Sequence, residues 1–292
     1  MVKIVLYSSQ LAAFIGRNIH TNTSRIFNKL FEKFYPSILT NLKLIDKVKQ
    51  ENLGDGASID KLCSKLEHNK DLRSKLDNLC KQNFSSFTMK KETETLVKNV
   101  LEKEKLSNED QLLLQKITDS YTNKKYGTVK EVNAIDVYKE RMKVDVVTGI
   151  GSRSKKLLEI DGNELWIISK IDAMKMDGTV IEIKNRIYKL FDEVREYEWL
   201  QVQAYLHVYG LPKAELVEFL QNSGGTMKIN HVERDDTYWN EVLLKILGDY
   251  FRVFLKIIKN ESKIRKYMKF GETEQNEYIK KLVRKESIEK SE

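Results

Sequence analysis

The sequence predicts an α/β fold, a central mixed β-sheet flanked by helices, with a helical elaboration ahead of it. Three observations carry this. From Ser24 to Tyr121 the apolar residues recur every three or four positions, the period of a helix with one buried face. After Tyr126 the pattern changes to short Val- and Ile-rich runs separated by turn residues, the mark of strands. Only Pro36 and Pro212 occur, so few helices are interrupted.

Taken in order, residues 8–16 read as a short helix, with Leu11, Ala12 and Ile15 at helical spacing and Gly16 as its stop. The helical layer follows, broken near 51–58 and 81–87 where glycine, asparagine and serine gather. A helix is expected over roughly 127–140. Strands are then expected in the runs RMKVDVVTGI, KLLEI, ELWIISKI and TVIEIKN, with turns at DGNE and MDGT. A helix over about 191–209 precedes a strand at 214–220, a turn at NSGG and a strand at 226–233. A last long helix starts near Asp235 or Asp236 and runs past Phe254, and the tail from about 260 is helical or frayed.

The chain has 292 residues, with 51 Lys+Arg against 43 Asp+Glu and a formal charge of +8. Its 41% hydrophobic content suits a packed core rather than a disordered chain. No run approaches the roughly 20 apolar residues of a membrane span, and the start lacks the pattern of a signal peptide, so an intracellular, soluble protein is expected. Two cysteines, Cys63 and Cys80, exclude a disulfide framework and any four-cysteine zinc or iron–sulfur site. The basic excess is uneven. The first fifty residues hold eight Lys+Arg and two acids, and the segment from Val253 onward holds eleven and seven. Basic ends around an acid-bearing centre suit an enzyme that grips phosphates and uses carboxylates for a metal. Solvated helix faces would give the same count.

The most informative residues lie in ISKIDAMKMDGTVIEIKNR, 168–186. Side chains alternate along a strand, so Ile181 and Ile183 point one way while Val180, Glu182 and Lys184 point the other. An acid and a lysine on a central strand are costly unless paired or metal-bound. Ten residues earlier Asp172 closes the preceding strand, and the MKMDG turn can set the two carboxylates side by side. Such a pair suits Mg²⁺ or Mn²⁺, hard cations that prefer oxygen. Lys184 could orient or deprotonate the attacking water, or stabilise charge building on a phosphate. A Glu–Lys pair on a solvent-facing edge strand is the alternative. Glu131 shares a helical stripe with Ala134, Ile135, Tyr138 and Met142 and faces either the core or a site. Gln201 and Gln203 interrupt an apolar and aromatic helix. GIGSRSKK, 149–156, matches no glycine-rich phosphate loop and reads as a hairpin turn whose basic residues touch a backbone. The four histidines lack metal-ligand spacing, and His207 reads as a helix-packing residue. Tyr197 and Trp199 either stack on a base or pack in the core.

The order of these motifs resembles the PD-(D/E)XK nuclease superfamily, and within it the lambda-exonuclease/YqaJ-type viral recombinase branch. The residues that carry the resemblance are Gly127 to Glu131 with Ala134 and Tyr138, then Ile171-Asp172, Glu182-Ile183-Lys184, and Gln201-Val202-Gln203-Ala204-Tyr205 running to Gly210. Ile171 stands where the superfamily has its name-giving proline. Ser9 to Gly16 is similar to the branch's start, and Val232 to Asp235 to its closing strand. The resemblance covers roughly 4–20 and 125–255 and implies a restriction-endonuclease-like core. The domains expected are 1–35 and 121–258 as that core, 36–120 as a helical insertion, and 259–292 as a basic tail.

The resemblance implies Glu131, Asp172 and Glu182 as metal-binding carboxylates, with the backbone carbonyl of Ile183 as a further ligand. It implies Lys184 as the water-activating residue and Gln203 as an orienting one. Ser9, Arg17, Arg25, Arg153, Gln201 and Tyr205 are the residues expected to touch nucleic acid. The family's 5′-phosphate arginine is missing from its expected place, and Arg17, Arg25 or a residue of the insertion would substitute. The function implied is a Mg²⁺- or Mn²⁺-dependent exonuclease on linear duplex DNA, of the phage or viral recombination or repair type. A homo-oligomer and a single-strand annealing protein are its implied partners. An endonuclease, an RNA-cutting enzyme and a catalytically silent nucleic-acid-binding protein are the rivals.

Overall fold

A computed structural model describes residues 1–34, 95, 131, 134–186, 189–220 and 226–288. Apart from residue 95, the expected layer between residues 36 and 121 lies outside these, as do both cysteines and the NSGG turn. The chain divides into two units, one of Met1–Asn41 with Tyr138–Glu292 and one of Leu42–Val137.

The first unit is a mixed α/β assembly whose two sheets are flanked by helices. Strand β1 (Lys3–Tyr7) leads through a 3₁₀ turn (Ser8–Gln10) into α1 (Leu11–Phe14) and α2 (Thr23–Phe34). Residues 134–142 are helical and form α3, of which the part from Tyr138 onward belongs to this unit. Then come β2 (Val146–Thr148), β3 (Arg153–Ile160), β4 (Asn163–Ser169), β5 (Ala173–Lys175) and β6 (Val180–Arg186). Helix α4 (Glu196–Tyr209), β7 (Lys213–Leu220) and β8 (Thr226–Glu233) follow. A π-helical turn (Tyr238–Leu243) opens α5 (Leu244–Ile258), and α6 (Glu261–Met268) and α7 (Glu272–Ile288) close the chain. No helix of the described residues is long and apolar enough to cross a membrane.

Three strands pair in the order β1-β4-β3, and five in the order β2-β5-β6-β7-β8. The expected hairpin at DGNE is present. Asp161 and Gly162 both take positive φ, 48° and 69°, as a two-residue turn between twisted strands needs. In the larger sheet β6 is the third of five, parallel to β7 and antiparallel to β5.

Helix α4 lies against this sheet through Val202, Tyr205, Leu206 and Tyr209, which pack on Ile171, Val180, Ala214, Leu216 and Val232. A second apolar centre joins α2, α5 and α6. The Phe31 ring stacks on Phe254 at 4.9 Å, and Phe27 meets Phe254 edge-on at 5.2 Å. The tail expected to be helical or frayed is helical, with Ile264, Tyr267 and Ile279 buried.

Three expectations need correction. Residues 153–156 are the start of β3 rather than a turn, because they pair with Trp166 to Ser169 of β4. Met174 and Lys175, read as the start of the MKMDG turn, belong with Ala173 to a short strand. Helix α4 begins at Glu196 rather than near 191, because the preceding backbone is held elsewhere. The Phe191 amide donates to Glu218 Oε2 at 2.9 Å, and Lys228 donates to the carbonyls of Phe191 and Asp192 at 2.6 Å each.

Candidate active site

The alternation expected along β6 sets its acid and bases on the side that α4 covers. Glu182, Lys184 and Arg186 share that face, while Ile181 and Ile183 point to the other. Pairing of Ala173 with Ile181 sets Asp172 beside the next rung, and Asp172 Oδ2 accepts the Ile183 amide at 2.8 Å. The two carboxylates ten residues apart in sequence are thus brought to adjacent strands, as the turn between them suggested.

Glu182 is 3% exposed. Its Oε1 accepts Lys184 Nζ at 2.6 Å and Gln201 Nε2 at 2.9 Å. Its Oε2 is buried and has no hydrogen-bond partner. A carboxylate oxygen withdrawn from water with nothing to accept is costly by itself, and it suits an oxygen-seeking cation. Lys184 Nζ also donates to Gln201 Oε1 at 3.2 Å. Burial pulls the Lys184 pKa down, and Glu182, with Glu198 and Asp172 behind it, outweighs this and leaves it raised. The Tyr205 hydroxyl accepts from Gln201 Nε2. Burial first, and then the charges of Glu182 and Asp172, push this phenol well above its usual pKa, so it stays neutral.

Next to this group lies a second, which the sequence reading missed. Arg186 Nη1 and Nη2 hold the two oxygens of Glu198 at 2.8 Å each, and Arg186 Nε donates to Glu218 Oε1 at 2.8 Å. Both acids are almost wholly buried. The signal was present, since Glu218 stands inside the apolar run of β7 and Arg186 continues the period-two face of Glu182 and Lys184. On this side of the sheet four carboxyl groups, Asp172, Glu182, Glu198 and Glu218, meet two cations, Lys184 and Arg186. The excess is of the sign a divalent cation would offset.

The two glutamines of α4 face apart. Gln203, expected to orient the reaction, is fully buried and turned away. Its Nε2 donates to the Glu233 carbonyl at 2.7 Å and its Oε1 accepts the Asp235 amide at 2.9 Å, so it ties the end of β8 to α4. Gln201, expected on nucleic acid, is the one that touches Glu182 and Lys184. Residues two apart on a helix point about 200° apart, so only one can face the sheet's acids. Tyr205, likewise expected on nucleic acid, is buried beside Gln201.

Of the remaining expected contacts, Ser9 is exposed, and its neighbour Ser8 is the buried one, bonded to Ser169 at 2.5 Å. Arg17 pairs with Glu196 at 2.5 Å and the Tyr238 hydroxyl at 3.0 Å. Arg25 pairs with Glu272 at 2.8 Å. Arg153 lies 5.0 Å from the Tyr209 ring and reaches the Tyr209 carbonyl at 3.5 Å, near the negative end of α4. His207 packs as expected, stacked on Trp239 at 4.0 Å. Tyr197 meets His20 edge-on at 5.4 Å, and Trp199 meets Tyr238 at 4.8 Å.

Glu131 is helical and half-buried and belongs to the second unit, so it is described apart from the acids of β6. Among the described residues, no group of three or more His, Cys, Asp or Glu side chains is placed to hold a metal.

No protein-family model matches the chain, and no curated protein does. Similar solved structures include SSO0001, at 15% identity and a TM-score of 0.37 over 58% of this chain and 88% of that one. An alkaline exonuclease, LHK-Exo from Laribacter hongkongensis, is similar at 19% identity and a TM-score of 0.35, over 49% of this chain and 73% of that one. The same protein in complex with dAMP gives 17% identity and a TM-score of 0.34, over 47% and 72%. Values this low transfer neither fold nor activity, so the chain's own geometry has to carry a functional reading.

Proposed function

We propose that the chain is a divalent-metal-dependent nuclease that hydrolyses phosphodiester bonds, acting as an exonuclease on linear duplex DNA. The observation that supports this most is Glu182. It is buried on the central strand beside Asp172, with one oxygen held by Lys184 and Gln201 and the other without a protein partner. Asp172, Glu182 and the carbonyl of Ile183 would hold Mg²⁺ or Mn²⁺. When bound, such an ion acts as a Lewis acid on a phosphoryl oxygen and makes water a better nucleophile.

The chain's own residues divide the remaining work. Lys184 keeps an ammonium against the carboxylates, where it orients the attacking water or stabilises charge on a phosphate oxygen. Gln201 holds Lys184 and Glu182 to each other, and Tyr205 steadies Gln201 from beneath. Gln203 fixes α4 against the end of β8 and so sets the height of Gln201 over the strand. Ser9 and Arg153, both exposed, and the basic ends of the chain would follow the phosphate backbone, making binding steeply salt-dependent. A role in phage or viral recombination or repair, with a homo-oligomer and an annealing partner, belongs to the same proposal.

The test is one digestion panel in Mn²⁺ and Mg²⁺ with linear duplex, circular duplex, single-stranded DNA and RNA. The reading expects nucleotides released from linear duplex, with circular duplex left intact. Cutting of the circle would make it an endonuclease, and preference for RNA would change the substrate. Tight binding with no cleavage in either metal would leave a silent binding protein.

A further inference from the structure

The face of β6 that carries Glu182 and Lys184 carries a third charged residue, Arg186. In the parallel register Lys184 lies directly across from Glu218 of β7, and Glu198 reaches in from α4. Lys184 therefore stands among three buried carboxylates, at 3% exposure for Glu182, 2% for Glu198 and 0% for Glu218. Yet its ammonium hydrogen-bonds to only one of them, Glu182.

The reason is visible in the partners of the other two. Arg186 takes both oxygens of Glu198 through its terminal nitrogens and Oε1 of Glu218 through Nε. The amide of Phe191 takes the remaining Glu218 oxygen at 2.9 Å. All four oxygens then have a donor, which weakens their pull on Lys184 across the sheet. Only a guanidinium can do this, because its planar fork presents five donors in fixed directions where an ammonium is a single point of charge. The fork is itself held, with Arg186 Cζ 4.4 Å from the centre of the Phe191 ring and Arg195 over the same ring at 4.1 Å.

We infer that Arg186 is a positioning residue for the site proposed above: by occupying Glu198 and Glu218 it leaves Lys184 on Glu182 and Gln201. This rests on the nuclease reading for its consequence in catalysis, though not for its consequence in structure. In Arg186→Gln the freed acids compete for the ammonium, which moves toward Glu218 or Glu198. In the triple variant Arg186→Gln, Glu198→Gln, Glu218→Gln the competing charges are gone, and Lys184 returns to Glu182.

The experiment compares the unaltered chain, Arg186→Gln and the triple variant by crystal structure and by steady-state cleavage in Mn²⁺. Arg186→Gln is expected to show Lys184 Nζ off Glu182. Its kcat should fall roughly 100-fold, the scale of a catalytic group misplaced by about 1 Å, with little change in KM. The triple variant is expected to recover at least about tenfold of that loss, which a merely structural role for Arg186 would not permit. Nζ remaining on Glu182 in Arg186→Gln, or a folded triple variant with no recovery, overturns the inference. If Arg186→Gln does not fold, the triple variant decides alone: Nζ on Glu182 with kcat within about tenfold of the unaltered chain supports the inference, and Nζ elsewhere or a larger loss overturns it. If the unaltered chain cleaves nothing, the nuclease reading has failed, and the position of Nζ in the two variants still decides this one.

Discussion

Changing Glu182 to glutamine keeps the side chain's shape and removes its charge, and the structure gives opposing consequences that can be weighed. Removing one partner of a buried ion pair costs about 3–5 kcal/mol. Against this, the neutral amide is spared the desolvation of a buried charge, a relief of about 1–3 kcal/mol, although its nitrogen takes the unpartnered oxygen's place. Asp172 and Glu198 also remain to hold the Lys184 charge. The net cost without metal is then about 0–4 kcal/mol, at most a moderate drop in melting temperature. With metal the two chains should diverge much more. A ligand at a hundred times its dissociation constant stabilises the native state by about 2.7 kcal/mol. For a unit of this size that raises Tm by about 5–10 °C. Calorimetry of both chains, in chelator and then in Mn²⁺, is the assay. The unaltered chain should gain the full rise and Glu182→Gln less than about 2 °C, since a neutral amide is a poor ligand for a hard cation. An equal rise in both would refute the assignment of the unpartnered Oε2 to a metal.

The two glutamines of α4 should separate cleanly. Gln201→Ala should lower kcat by roughly tenfold or more, because its amide holds Lys184 and Glu182 to each other. Gln203→Ala should instead cost about 1–3 kcal/mol in denaturant unfolding, because it strands the Glu233 carbonyl and the Asp235 amide. Acid should destabilise the chain through His207, whose pKa burial lowers from 6.5 to about 4. Between those values the unfolded chain binds the proton and the folded one does not. The stability present above pH 6.5 is therefore lost as pH falls toward 4, about 3 kcal/mol in all. Urea midpoints across that window should fall in the unaltered chain and fall less in His207→Phe.

The carboxylate strand was legible because β6 breaks an apolar run with an acid and a lysine at period two, and Asp172 precedes it at a distance one tight hairpin can span. Strand β8 was legible to the residue, bounded by glycines and by Asp235. Strand β1 was not, since Lys3–Tyr7 is short and its partner β4 is 161 residues away, a pairing no local pattern encodes. Strand β5 hid inside a turn because three residues cannot display alternation. Which of Gln201 and Gln203 lies beside the acids was not legible, because their spacing says that they point apart, not which one faces the sheet. That depends on how α4 is rotated, which Val202, Tyr205, Leu206 and Tyr209 decide by packing. Arg186 was passed over because its importance lies in two acids 12 and 32 residues further on.

The most direct measurement is release of nucleotides from end-labelled linear duplex DNA by the unaltered chain and by Asp172→Ala, each with Mn²⁺ and with excess chelator. The account predicts release by the unaltered chain in Mn²⁺ alone, abolished both by chelator and by the substitution in a chain that remains folded. Release that persists in chelator, or at full rate in Asp172→Ala, would contradict it.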